Sequence, residues 1–298
     1  MRMVRGDAMA EAVDRGGVRG YRPTRTLRVG TELRRQATRR RTQLALGFMV
    51  VLPLVILAAF QVEGEDGRDS GGRGEFGSLL ELATSGGLNF TLFTILVSAS
   101  FLLVVIVALF FGDMVASEAS WGSLRYLLAI PVPRARLLTV KLLVAALYSV
   151  LAILLLAGTA LAAGTLRYGW SPLRSTVAAE IPAEEGLLRL CGILGYLVVT
   201  LAVVAGIAFF LSVSTDAPLG AVGGAVVLWI VSSILDQIDA LGALRAALPT
   251  HYSDAWIGLL STPAQTEDMV RGAISAVCYA TLFGALAFWR FTRRDMVS

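Results

Sequence analysis

Six long apolar runs, separated by polar and charged segments, set the pattern of the chain. The first is TQLALGFMVVLPLVILAAF, Thr42 to Phe60. The others run from about Leu88 to Gly112, Leu142 to Leu166, Leu190 to Val213, Pro218 to Asp236 and Gly272 to Trp289. A helix of about 20 apolar residues crosses the roughly 30 Å hydrocarbon core of a bilayer. The pattern therefore predicts an all-α integral membrane protein with six transmembrane helices. Pro53 lies inside the first run, where its missing amide favours a kink.

The connections carry patterns of their own. EGEDGRDSGGRGEF, Glu63 to Phe76, is polar and Gly-rich and predicts a mobile outer loop. Asp239 to Asp268 contains LGALRAAL and PTHYSDAWIGLL, with apolar residues at roughly helical spacing. This predicts two short amphipathic helices, interfacial or re-entrant, between the fifth and sixth spans, with Tyr252 and Trp256 at the membrane–water level. Residues 24–41, TRTLRVGTELRRQATRRR, set Leu27, Leu33 and Ala37 among arginines and predict a basic interfacial helix leading into the first span. Residues 1–23, rich in Gly and charge, predict a disordered cytoplasmic tail.

Composition sharpens this picture. The chain is 56% hydrophobic and only 16% charged, whereas soluble domains carry about 25% charged residues. The first run starts too late and is too long for a cleaved signal peptide, so it is expected to remain as a span. Of the 26 Lys and Arg residues, 19 fall on one side if both termini are cytoplasmic, giving that side a net charge of +11 against −7 outside. The positive-inside rule then places both termini in the cytoplasm. The overall charge of +4 reflects this topology, so no nucleic-acid partner is expected. Cys191 and Cys278 lie in apolar runs without metal-ligand spacing and are expected to be small buried hydrophobes. The single histidine, His251, cannot form a multi-His metal site.

The chemistry of the spans excludes several functions. No ionisable residue lies near the middle of a span, and Asp236 sits at the outer end of the fifth. A proton-driven carrier would need an intramembrane coupling group; a sodium-driven carrier or passive facilitator is not excluded. A lone outer histidine does not supply the nucleophile–base pair of an intramembrane enzyme. A Walker A loop needs Lys followed by Ser or Thr, but the only lysine, Lys141, precedes Leu142. If ATP drives this protein, the ATPase is another chain. GAVGG, Gly220 to Gly224, and the pair Ala280 and Gly284 have the spacing of close helix contacts. Trp229, Ser232, Ser233 and Asp236 share one face of the fifth span; Asn89, Phe93, Thr94, Ser98 and Ser100 give the second a mixed polar and aromatic surface. Such faces line a path for an amphipathic solute or hydrogen-bond internally.

Between the second and third spans lies EASWGSLRYLLAIPVPRARLLTVK, Glu118 to Lys141. Glu118 to Ala129 can form a short helix with Trp121, Leu124 and Leu128 on one face and Glu118 and Arg125 on another. Pro131 and Pro133 then stop it, and Pro133 suits the first turn of the next helix. The outcome is a rigid amphipathic elbow at the cytoplasmic surface.

This stretch resembles the first cytoplasmic connection of permeases of the type-2 ABC exporter superfamily. Their pattern of Glu, Gly-Thr-Leu-Arg, Leu-Leu, Pro-Val-Ser-Arg and Lys matches Glu118, Gly122, Ser123, Leu124, Arg125, Leu127, Leu128, Pro131, Val132, Pro133, Arg134 and Lys141, with Ser123 for Thr and Pro133 for Ser. The likeness extends over about residues 31–298, including LPTHYSDAW and the closing WRFTRRD. It implies a six-helix exporter transmembrane domain over residues 42–298. It also implies a second permease chain, identical or paralogous, and two ABC ATPase subunits holding ATP and magnesium, with no cofactor or catalysis in this chain.

By the resemblance, the elbow is a coupling helix seated in the ATPase, with Glu118, Gly122, Arg125, Pro131, Pro133 and Arg134 as coupling residues. Arg134 and Arg136 are expected to meet anionic lipid or the ATPase rim. The second and fifth spans would line the path between permeases through Phe93, Thr94, Ser98, Trp229, Ser232, Ser233 and Asp236. Leu248, Pro249, Tyr252 and Trp256 would form the outer gate. Glu118→Ala would then lower transport without loss of folded protein. The function implied is export of a hydrophobic or amphipathic solute (drug, lipid, peptide or polyketide) across a bacterial plasma membrane, the arginine-rich composition suggesting a GC-rich bacterial genome. The competing reading is a membrane scaffold or sensor that partners an ATPase and signals.

Overall fold

The computed structural model describes residues 29–66, 75–120, 133–174 and 180–293. Every regular element among them is helical. Helix α1 spans Val29–Ala37, α2 Arg40–Asp66, α3 Glu75–Thr84, α4 Gly87–Ala99, α5 Leu102–Ser120, α6 Arg134–Tyr168, α7 Ala183–Ser214, α8 Pro218–Asp236 and α9 Glu267–Arg293. Two short 3-10 helices, Asp239–Ala247 and Ala255–Leu260, lie between α8 and α9. Six helices (α2 and α5 to α9) are long and apolar enough to cross a membrane. The tail at 1–23 and residues 24–28 lie outside the described residues.

The second span departs from the apolar pattern. The run from Leu88 to Gly112 is divided at Ser100 and Phe101, so α4 is a short separate helix. The long helix α5 continues past Gly112 for two more turns to Ser120. Periodicity hides this division because apolar residues continue through it. Pro53 is accommodated within α2 without ending it. The expected outer loop Glu63 to Phe76 is narrower: α2 reaches Asp66, α3 starts at Glu75, and residues 67–74 lie outside the described set.

Burial ranks the helices. In α5, 78% of the most apolar window is buried, and in α7 67%, against 17% for α2, 22% for α8 and 17% for α9. Helices α5 and α7 therefore form the centre, with α6 beside them, while α2, α8 and α9 present wide apolar faces outward. Among the residues of α5 only Ser120, the last, is exposed. Cys191 and Cys278 are corrected: both lie on the outer surface of their helices.

Both small-residue motifs singled out lie at close helix crossings, each opposite a glycine of a central helix. Gly112 of α5 lies against the backbone of Val222, inside GAVGG, and Gly206 of α7 lies against the backbone of Ala280. Gly223 and Gly284 face open space. The glycine that permits each approach is thus on the central helix.

The bundle has two distinct ends. At one, α1, the end of α5, the start of α6 and the end of α9 come together; Arg134 donates to the carbonyl of Thr292. At the other end, Gly87 bonds Gly169, and buried Asn89 holds the loop after α6 through the backbone N–H and carbonyl of Arg174. Leu173 and Ile181 form an isolated antiparallel bridge there. Arg189 of α7 donates to the carbonyls of Leu259 and Ser261, and Tyr196 to that of Tyr252, fastening the 3-10 segment to the bundle.

Candidate functional site

The first end of the bundle contains a buried cluster of charges. Helix α5 carries Asp113 and Glu118 in its final turns, α6 brings Lys141 two turns from its start, and α1 contributes Glu32 and Arg35. Lys141 Nζ lies 2.7 Å from Glu118 Oε1 and 3.5 Å from Glu32 Oε1, and donates to the carbonyl of Met114 at 3.3 Å. Arg35 reaches Glu118 Oε1 at 3.0 Å and Glu32 at 3.7 Å. Arg39 bridges Asp113 and Glu118 at 3.6 and 3.8 Å, and Arg41 pairs with Asp113 at 2.6 Å. Glu118 is 2% exposed, Lys141 1% and Glu32 3%.

Ions this deeply buried persist only when partnered, because desolvation costs several kcal/mol per ion. Here each carboxylate meets at least two cations. The cluster thus locks α1, α5 and α6 together at the two ends of the segment 121–132. Tyr148 of α6 adds a 2.8 Å hydrogen bond to the carbonyl of Leu33 in α1.

Two expectations change here. Glu118 does not begin a separate surface helix: α5 runs through it and buries it. Substituting it therefore attacks the fold directly, so the expectation that Glu118→Ala leaves the protein folded does not stand. Residues 29–37 do form a helix, but its buried positions are Glu32 and Gln36. Helix α1 docks by its polar face because Lys141 rewards a carboxylate there. Sequence reasoning missed Glu32, Arg35, Arg39 and the burial of Lys141. The available signal was that Glu32 is the sole acid in a basic stretch and Lys141 the sole lysine of the chain.

Of the remaining coupling residues, Gly122, Arg125 and Pro131 lie outside the described residues. Pro133 precedes α6 in extended geometry rather than occupying its first turn, and its carbonyl accepts from Leu137. Arg134 is exposed and donates to the carbonyl of Thr292 at the end of α9.

The expected translocation residues are drawn into the bundle. Phe93, Thr94, Ser98, Trp229 and Ser232 are all buried. Thr94 and Ser233 donate to the carbonyls of Phe90 and Trp229 on their own helices, while Ser232 shares a 2.7 Å hydrogen bond with Thr250. Asp236 meets His251 Nδ1 at 2.6 Å and Arg245 at 3.6 Å. This face of α8 is thus the seat of the 3-10 segment. It borders a polar hollow of about 170 Å³ with Thr200, Ser233, His251 and Asp254. Burial, then the nearby Asp236 carboxylate, raise the Asp254 carboxyl above its ordinary value.

The outer-gate residues are likewise tied down. Leu248, Pro249 and Tyr252 are half-buried, and Trp256, expected at the membrane surface, is only 2% exposed inside the protein. The 3-10 segment folds inward over α7 because Arg189 and Tyr196 satisfy its backbone carbonyls.

Residues 76–297 match a family of proteins of unknown function, DUF2705. The chain belongs to the DUF2705 family. The match takes in Asp113, Glu118 and Lys141 but leaves out α1, α2 and the link between them, which supply Glu32, Arg35, Arg39 and Arg41. The charge cluster thus joins the DUF2705 region to the helices that precede it. No curated protein matches the sequence.

Proposed function

We propose that this DUF2705 chain is the membrane-spanning permease subunit of an ATP-driven exporter of the type-2 ABC kind, working with a separate ATPase and a second permease chain. The observation that supports this most strongly is the 2.7 Å contact between Glu118 and Lys141. These are the first and last charged residues of the motif that resembles the exporter elbow. Their contact ties the two ends of the intervening segment to one rigid point of the bundle. An element pushed by a partner needs such a base, since packed helices transmit displacement.

On this reading the basic end of the bundle faces the cytoplasm, as the excess of Arg and Lys there favours. The elbow receives ATPase closure, the charge cluster passes it to α5 and α6, and the central helices carry it across the membrane. Residues Gly122, Arg125 and Pro131 make the contact with the ATPase, and Glu118 positions the elbow behind it. The exported solute is hydrophobic or amphipathic. The chain itself catalyses nothing.

Arg125 offers a test separate from the buried cluster. Arg125→Glu is expected to lower solute-stimulated ATP turnover of the purified complex severalfold, while yield and melting temperature stay at wild-type values. Unchanged turnover would remove Arg125 from the coupling surface.

A further inference from the structure

Beside the charge cluster lies a cavity of about 430 Å³ lined by Arg35, Thr38, Arg39, Arg40, Arg41, Asp113, Ser117 and Glu118. Its lining has four guanidiniums against two carboxylates. Arg35, Arg39 and Arg41 each pair with those carboxylates. Arg40 is exposed and has no ion-pair partner among the described residues, and the side chain of Arg41 remains 59% exposed. The cavity is therefore an open site with positive charge to spare; the hydroxyls of Thr38 and Ser117 in its lining donate to the carbonyls of Arg35 and Asp113.

The surface next to it identifies the ligand. Leu44, Phe48, Val51 and Val55 of α2 are 73%, 47%, 50% and 55% exposed. At 100° per residue these four positions fall in one stripe, and Arg40 and Arg41 flank its head. From Leu44 to Val55 the stripe is about 16 Å long at 1.5 Å per residue, matching the roughly 15 Å hydrocarbon depth of one leaflet. A basic cavity at the head of a leaflet-long apolar stripe has the shape and polarity of one phospholipid.

We propose that this cavity binds the phosphate headgroup of an anionic phospholipid whose acyl chain lies along Leu44, Phe48, Val51 and Val55. Guanidinium recognises phosphate by charge-assisted and bidentate hydrogen bonds. The apolar stripe selects a lipid over a soluble phosphate. The site is independent of any ATPase, so it stands or falls separately from the exporter reading.

Native mass spectrometry of the purified, delipidated chain in neutral detergent tests this, with phosphatidylglycerol and phosphatidylcholine of equal acyl length. The wild type is expected to retain one phosphatidylglycerol per chain in clear preference to phosphatidylcholine. Arg40→Gln is expected to weaken it about fivefold and Arg40→Gln/Arg41→Gln about twenty-five-fold, as for the loss of one and two membrane-surface cations. Arg271→Gln, at the opposite end of the bundle, is expected to leave binding unchanged. Because Arg41 also holds Asp113, Arg40→Gln alone keeps the test clear of the fold. Equal binding of both lipids, wild-type binding by both Arg40 variants, or complete displacement by millimolar inorganic phosphate would each overturn the proposal.

Discussion

Glu118→Ala is expected to destabilise the purified chain by about 3–5 kcal/mol, the usual cost of removing one partner from a buried ion pair. Lys141 Nζ would be left with Glu32 at 3.5 Å and the Met114 carbonyl, while almost wholly shielded from water. Lys141→Met should also be costly, because Glu118 and Glu32 would then share the cations of α1 and Arg39 alone. The double variant should be more stable than the sum of the two losses implies, since it removes both charges together. Thermal unfolding in detergent measures all three. A mild, strictly additive pair of effects would show that the 2.7 Å contact does not hold the junction. Loss of export in Glu118→Ala would, on this account, report a broken base for the elbow and not a lost contact with the ATPase.

Gly112→Leu is expected to be the other severe change. A Cβ at Gly112 would come within 2.8 Å of Val222 Cγ2 and 3.1 Å of the Val222 amide nitrogen. The backbone of α8 cannot give way as a flexible side chain would. Overpacking of this kind costs about 1–3 kcal/mol, and the remaining leucine atoms place this variant at or above the top of that range. Gly223→Ala, where nothing lies within 4 Å, should be nearly neutral. The contrast would show that GAVGG receives its partner's glycine instead of providing the notch. Equal loss in both variants would contradict this assignment of the α5–α8 contact.

The six long apolar helices were legible because length and hydropathy are written into each helix separately. The division between α4 and α5 was not, since Ser100 and Phe101 interrupt the hydrogen bonding without interrupting the apolar run. The two short helices after α8 were anticipated from their spacing. The inward burial of Trp256 in the second depends on Arg189 and Tyr196, which lie more than 50 residues earlier and leave no local trace. In the candidate site, Glu118 and Lys141 stood out as the ends of a motif. Their mutual contact, and the four side chains that α1, α2 and the link between them bring around it, arise only when separate helices meet. Local patterns specify a helix's surface; they do not say which charge on another helix will neutralise it.

The central claim is that a DUF2705 chain of this kind works as a permease with an ATPase partner. The most direct measurement is purification of a tagged copy from its native membrane in mild detergent, with every co-purifying chain identified and the complex mass determined. The account predicts an assembly of two permease chains and two nucleotide-binding chains. A protein that purifies alone, or with partners that bind no nucleotide, would contradict it.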